Sequence, residues 1–219
     1  MIKTKKKEKY IPALSFDFLT PFYDTAVKWT TRETVFKEKL VRQIEISPNG
    51  RLLDLACGTA TLTVALERKF PKAEIHGLDG DEQILATARR KAATAGAEIN
   101  FTKAFSTAMP YADEFFHCVV TSLFFDHLTR ENKKKTLLEI LRVLKPNGRL
   151  HVADWGLPAN FLLKLAQQPV MWLDGAATTD SFQGKLPEFI SEAGFSDIAE
   201  TAKFNTIGGT VRLHKAKKR

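Results

Sequence analysis

The sequence predicts an α/β domain: a seven-stranded, mostly parallel sheet with helices on both faces and an antiparallel hairpin at the C-terminus. Three observations carry that prediction. From Arg51 onward, short apolar runs alternate with amphipathic stretches, the pattern of strands joined by crossover helices. The last two runs, FSDIAETAKFNT and GTVRLHKAK, are separated only by Ile207 and Gly208, a link too short for a crossover. The length of 219 residues, with 44% hydrophobic and 26% charged, suits one large domain with an ample core.

Taken in order, residues 1–10 form a basic, disordered tail, and FDFLTPFYDTAVKW is aromatic-rich and broken by Pro21. A helix follows with Val35, Phe36, Leu40 and Ile44 on one face, ended by the turn cluster Ser47-Pro48-Asn49-Gly50. RLLDLACG is a strand reaching a glycine, and TLTVALERKF a helix stopped before Pro71. EIHGLD is a second strand, followed by a helix with Ile84, Leu85, Ala88 and Ala92 along one side and Gly96 past its end. EINFTKA and HCVVTSLFF read as the third and fourth strands. The helix over 131–144 presents Leu137, Leu138, Leu141 and Leu144, closes at Lys145-Pro146-Asn147-Gly148, and leads into the fifth strand, RLHVADW. KLPEFISEAGF is a helix with a glycine stop. The organisation is therefore one domain over 11–216, with a helical cap over 11–46, a substrate lid over 156–184 and a basic tail over 217–219.

Composition excludes several classes. No apolar run approaches the ~20 residues that span a bilayer, and MIKTKKKEKY has no apolar stretch behind it, so a cytoplasmic protein is expected. Cys57 and Cys118 sit in apolar runs without a CxxC or a nearby histidine cluster, which predicts neither a disulfide framework nor a metal site. The net charge of +8 is concentrated at the ends: +4 in residues 1–10 and +5 in 212–219, leaving the body near −1. Such tails offer weak attraction to phosphates or an anionic membrane surface, or serve as solvated ends. They provide no basic groove for specific nucleic acid.

In an open α/β sheet, ligands sit beyond the carboxyl ends of the strands, where strand order reverses. Here that place is the turn in LLDLACGTATLT, with small residues Ala56, Gly58 and Ala60 at alternate positions. It is neither G-x-G-x-x-G nor a phosphate-binding loop with its lysine. Asp54 before the turn suits a cationic ligand, and Asp79, ending the second strand, can accept both hydroxyls of a ribose. Together they describe an adenosine site with a positively charged tail; a NAD enzyme stays open at this point.

LLDLACGTATLT, GLDGDEQIL, AMPYADEFFHCVVTS and LRVLKPNGRLHVADW stand in the order and spacing of class I S-adenosylmethionine methyltransferases. The chain resembles most the group containing the ubiquinone/menaquinone C-methyltransferases, over roughly residues 20–216, and FYDTAVKW is similar to the Tyr-Asp segment preceding the fold in that group. The resemblance implies a Rossmann-like fold, S-adenosylmethionine as cofactor and S-adenosylhomocysteine as product. It places Asp54 at the methionine ammonium, Ala56, Cys57, Gly58 and Thr59 along methionine and ribose, and Asp79 and Gly80 at the ribose. Ile84 would pack on the adenine, with Phe105, Ser106 and Thr107 on the adenine-facing loop and Thr121 and Ser122 beneath the methionine. The chain departs from the family at Ala56 and Ala60, often glycine, and at Phe105, where an aspartate often bonds the adenine amine. The adenine contact is then apolar or taken over by Ser106.

Methyl transfer needs in-line placement, with a base for phenol or enol-carbon acceptors. Asp126 and His127 follow the fourth strand, Asp154 and Trp155 end the fifth, and Tyr23 could close over the site. Asp126 either takes the acceptor proton or caps the helix near Thr129; His127 either acts or only orients its loop; His151 is a core or helix-facing residue. FLLKLAQQPVMWL within 156–184, with Phe16, Phe18, Phe22, Phe124 and Trp172, either lines a pocket for an apolar or aromatic substrate, with Gly175 and Gly184 as hinges, or packs on the sheet. The resulting expectation is methyl transfer to a small, partly apolar metabolite at a C, O or N atom. The alternatives are a phospholipid-headgroup N-methyltransferase and a non-catalytic cofactor-binding partner subunit.

Overall fold

Residue patterning fixes where each element starts and stops. The computed structural model describes residues 33–160, 163, 180–206 and 209–219. Helix α1 (Glu33–Gln43) buries Phe36, Leu40 and Val41. Val35 is instead 43% exposed, because it precedes Phe36 by one step of about 100° around the helix. After β1 (Arg51–Leu55), α2 (Thr61–Lys69) and β2 (Glu74–Asp79), helix α3 (Glu82–Ala95) is punctuated at both ends. The Asp81 side chain accepts the N–H groups of Gln83 and Ile84, and Gly96 closes the helix in the left-handed region.

Strands β3 (Ile99–Lys103) and β4 (Phe116–Ser122) follow. The fourth strand stops at Ser122, short of the expected Phe125, because Leu123 turns left-handed at φ 51° and its N–H pairs with the Ala153 carbonyl at 2.8 Å. A 3-10 turn, Phe125–His127, then leads to α4 (Arg130–Val143), whose cap is Thr129, accepting from the Asn132 N–H. Asp126 is therefore not the cap. On α4, Leu138 is 56% exposed, whereas Lys133, four residues before Leu137 and seven before Ile140 and so on their face, is buried. Strand β5 (Leu144–Gly156) begins directly at the helix end, taking in the Lys145–Gly148 stretch with Asn147 at φ 63°. Helix α5 (Leu186–Glu192), β6 (Ser196–Thr206) and β7 (Gly209–Lys217) complete the chain.

The sheet runs β3-β2-β1-β4-β5-β7-β6. The first five strands in sequence pair in parallel, and β7 pairs antiparallel with both β5 and β6, as the short link requires. The linking Ile207 and Gly208 lie outside the described residues. The basic C-terminal stretch is not a free tail: Arg212, Lys215 and Lys217 belong to β7, which is inserted between two strands. Arg212 donates to the Leu157 carbonyl and pairs with Glu200, and Lys218 Nζ donates to the Leu144 carbonyl at 2.7 Å.

Both sheet faces are covered. Leu53, Leu55, Val119, Leu150 and Val152 pack beneath α4 and α5, and Leu52, Ile75, Cys118, Val120 and Leu213 beneath α1 and α2. Each such side chain, once buried, contributes about 1.5–3 kcal/mol. Both cysteines are free and buried. His151 faces α1, its Nδ1 lying 3.3 Å from the Gln43 amide. Among the described residues no helix is long and apolar enough to cross a membrane, and no cluster of three or more potential ligands could hold a metal.

Candidate active site

Strand order reverses between β1 and β4, with β2 on the far side of β1, so a crevice opens at their carboxyl ends. The turn leaving β1 forms its lip. Ala56, Gly58 and Ala60 all adopt positive φ, at 57°, 54° and 63°. For the two alanines that conformation costs roughly 1–2 kcal/mol each. Such strain persists only where surrounding contacts determine the backbone. Here the Cys57 N–H is held by the Leu78 carbonyl at 3.0 Å, and the Ala60 N–H by the Cys57 carbonyl at 2.9 Å. A Cβ added to Gly58 would meet nothing within 4 Å, so the turn offers bare backbone to open space.

Asp79 comes to this turn from β2. Its Oδ2 accepts the Gly58 N–H and its Oδ1 the Asp81 N–H, each at 3.0 Å. Burial raises its pKa, against the opposing pull of those N–H groups. Asp54 lies deeper, 2% exposed, and accepts the Thr63 hydroxyl at 2.6 Å. Burial pushes its pKa up to about 7, with the Thr63 bond and the Lys37 charge opposing. The Cys57 thiol is also raised by burial and by the two carboxylates, which leaves it unreactive.

The other predicted positions surround the same crevice. Leu55 pairs with both Leu78 and Thr121, which brings the turn, the end of β2 and the end of β4 together. The Thr121 hydroxyl is fully buried with no hydrogen-bond partner among the described residues, a rare state for a buried polar atom. Ser122, Thr59, Gly80, Ile84 and Thr107 are half-buried at the rim. The exposed Phe105 ring lies over Gly80, where an added Cβ would sit 3.3 Å from it. The Ser106 hydroxyl is buried against Thr136 of α4 at 2.8 Å.

Beyond β4 and β5 lies a buried acid pair. Asp154 accepts the N–H groups of Phe125 and Trp155, both at 2.7 Å, and of Phe124 at 3.3 Å, so it shapes the turn that carries Asp126. Burial, and then the neighbouring Asp126 charge, raise the Asp154 pKa well above the carboxylate range. Asp126 is buried too, and His127, exposed, has Nε2 at 3.8 Å from its Oδ2. Lys133 lies under this turn with Nζ 3.4 Å from the Ser181 hydroxyl, and Arg130 grips Asp180 with two bonds of 3.0 and 2.7 Å. No local pattern in the sequence singles out Arg130 or Asp180. Lys133 was legible in principle, since it shares the helical spacing of Leu137 and Ile140. Trp155 and Phe182 form a wall with ring centroids 6.1 Å apart. Tyr23, Phe16, Phe18, Phe22, Trp172 and Gly175, and most of the expected lid, lie outside the described residues.

This strand order, with a small-residue turn after β1 and an acid ending β2, is that of a class I methyltransferase. Residues 52–148 match the family described as "Methyltransferase domain". A demethylmenaquinone methyltransferase of Thermus thermophilus is 40% identical over 108 residues, which is 49% of this chain and 48% of that protein. A ubiquinone/menaquinone biosynthesis C-methyltransferase of Photorhabdus laumondii is 28% identical over 224 residues, covering 89% and 87% of the two chains. In fold, a SAM-dependent methyltransferase from Aquifex aeolicus superposes with a TM-score of 0.67 at 17% identity, covering 94% of this chain and 100% of that one. Residues 52–148 thus form a methyltransferase domain, and over most of its length the chain is similar in sequence to quinone methyltransferases and in fold to S-adenosylmethionine-dependent methyltransferases.

Proposed function

We propose that the chain transfers the methyl group of S-adenosylmethionine to a small, partly apolar metabolite, and that the acceptor is an aromatic ring of the quinone-precursor kind. The observation that carries the donor half is the Asp79 carboxylate bonded to the bare backbone of Gly58. The residues present fit the cofactor: an open backbone cradle, a carboxylate with lone pairs left for two hydroxyls, and an orphan hydroxyl at Thr121. The acceptor half is supported by the activities of the relatives and by the aromatic wall of Trp155 and Phe182.

The bound cofactor supplies an electrophilic methyl group on a sulfonium. In this reading Asp79 and Gly80 hold the ribose, and Ala56, Cys57, Gly58 and Thr59 present backbone to ribose and methionine. Ile84 and Phe105 form the apolar adenine face, with Thr107 beside it. Asp54 lies opposite the methionine ammonium, with Thr121 and Ser122 beneath. Ser106 serves through its backbone, since its hydroxyl is engaged by Thr136.

Burial and the neighbouring Asp126 charge favour the protonated form of Asp154, and Asp126 beside it is the proposed proton acceptor. Asp126 would hold the hydroxyl proton of a phenol or hydroquinol while the ring carbon takes up the methyl group supplied by the cofactor. The ring proton would then pass to solvent, restoring aromaticity, and Asp126 would return the hydroxyl proton to the oxygen. His127, exposed beside Asp126, relays the proton outward; Tyr23 is a candidate to close the site. A phospholipid-headgroup acceptor loses part of its rationale, because most of the C-terminal basic residues are tied into β7. Incubation with methyl-labelled cofactor and a panel of hydroquinols, naphthols, amines and phosphatidylethanolamine vesicles tests the reading. Label on a ring carbon of a hydroquinol or naphthol is expected; label confined to amines or vesicles would refute the acceptor class.

A further inference from the structure

The turn after β1 holds two alanines in the left-handed region, and the second of them starts a helix. Ala60 is the cap residue of α2 and makes no side-chain capping bond. Thr63, one turn in, commits its hydroxyl to Asp54. The backbone bonds already described fix Cys57 and Gly58, on the β2 side of the turn. The other side is met by a side chain from α3.

Resting on the assignment of this turn to the cofactor, the geometry points to Lys91 as a positioning residue that holds the turn in its binding shape by bridging Thr59 and Thr61 across Ala60. Its ammonium donates to Thr61 Oγ1 at 2.7 Å and lies 3.3 Å from Thr59 Oγ1. Those two residues flank Ala60 in sequence, so one cation ties down both sides of the strained position. Ala88 and Ala92 of α3 pack against Ala60 and Val64, and this small-residue contact brings α3 close enough for Lys91 to reach the turn. A cation beside a helix N-terminus is opposed by the helix dipole. The two hydroxyl acceptors offset that opposition, so the placement serves the turn rather than the helix.

Calorimetric titration with S-adenosylhomocysteine, alongside thermal unfolding, tests this in the wild type, Lys91→Met, Ala60→Gly and the double variant. Methionine keeps the stem and removes the donors; glycine removes the left-handed strain. Lys91→Met is expected to raise Kd about fivefold to tenfold, and by less than about twofold when Ala60 is already glycine, as coupled neighbours behave. Lys91→Arg, which retains donors, is expected to recover most of the affinity. Wild-type affinity in Lys91→Met, with or without a lower Tm, would overturn the inference and leave Lys91 a packing residue. An equal loss in both backgrounds would overturn it too, since Lys91 would then act independently of Ala60. Failure of the wild type itself to bind would bring down the cofactor assignment, and this inference with it.

Discussion

Asp79, at the end of β2, accepts the backbone N–H of Gly58 at 3.0 Å, so the acid that ends one strand also fixes the turn leaving its neighbour. Its second oxygen is held by the Asp81 N–H, and Asp81 in turn caps α3. The turn after β1 is thereby tied to β2 and α3 at once.

Asp126→Asn should separate chemistry from binding. With the proposed proton acceptor gone, kcat should fall about 10²–10⁴-fold, the usual worth of a general base. The affinity for S-adenosylhomocysteine should stay within about twofold of the wild type, below the loss expected for a contact residue. His127→Ala, at an exposed position, should cost less than about tenfold. Steady-state kinetics with an acceptor, paired with calorimetry, reads both. Unchanged turnover in Asp126→Asn would remove it from the mechanism; a wild type that binds the cofactor product yet turns over no acceptor would favour a non-catalytic binding partner.

Cofactor affinity should depend on pH through Asp54. Burial lifts its pKa to about 7, so at lower pH it carries a proton that a cationic ligand must displace. Binding should therefore tighten as pH rises from about 6 to about 8, with proton release on binding, and then level off. In Asp54→Asn this dependence should vanish. Calorimetry in two buffers of different ionisation heat measures the released protons; equal heats in both would count against an ammonium contact at Asp54.

His151 should make the fold acid-sensitive. Burial, then the Arg149 and Lys215 charges, lower its pKa from 6.5 to about 4. Between those values the unfolded chain binds a proton that the folded chain refuses, so stability rises with pH across this window and is lost as pH falls through about 4. His151→Gln, which keeps a polar partner for Gln43, should show a shallower rise over the same range in chemical denaturation. Parallel curves for variant and wild type would show that the ring does not titrate with unfolding.

The sheet was legible in the sequence because its signals are local. Alternation, Gly96 after α3 and the two-residue link before Gly209 each act within a few residues. The crevice was legible for the same reason: Asp54, the small-residue turn and Asp79 sit at strand ends that any parallel sheet brings together. What escaped depends on direction and distance. Nothing in the sequence says that the Ser106 hydroxyl turns to Thr136, or that Lys91 reaches across from another helix. The Lys133-Lys134-Lys135 run reads as a solvent face by composition, yet the spacing to Leu137 and Ile140 puts its first member inside. The basic C-terminus read as a tail because charge was counted without the strand that carries it.

Calorimetric titration with S-adenosylhomocysteine tests most directly whether the Gly58 turn and Asp79 hold S-adenosylmethionine, as proposed. The wild type should bind with a Kd on the order of micromolar, and Asp79→Ala should weaken binding at least about tenfold, the worth of a charge-assisted hydrogen bond. Binding by the wild type that Asp79→Ala leaves untouched would contradict the ribose assignment, and no binding by the wild type would contradict the account of the site as a whole.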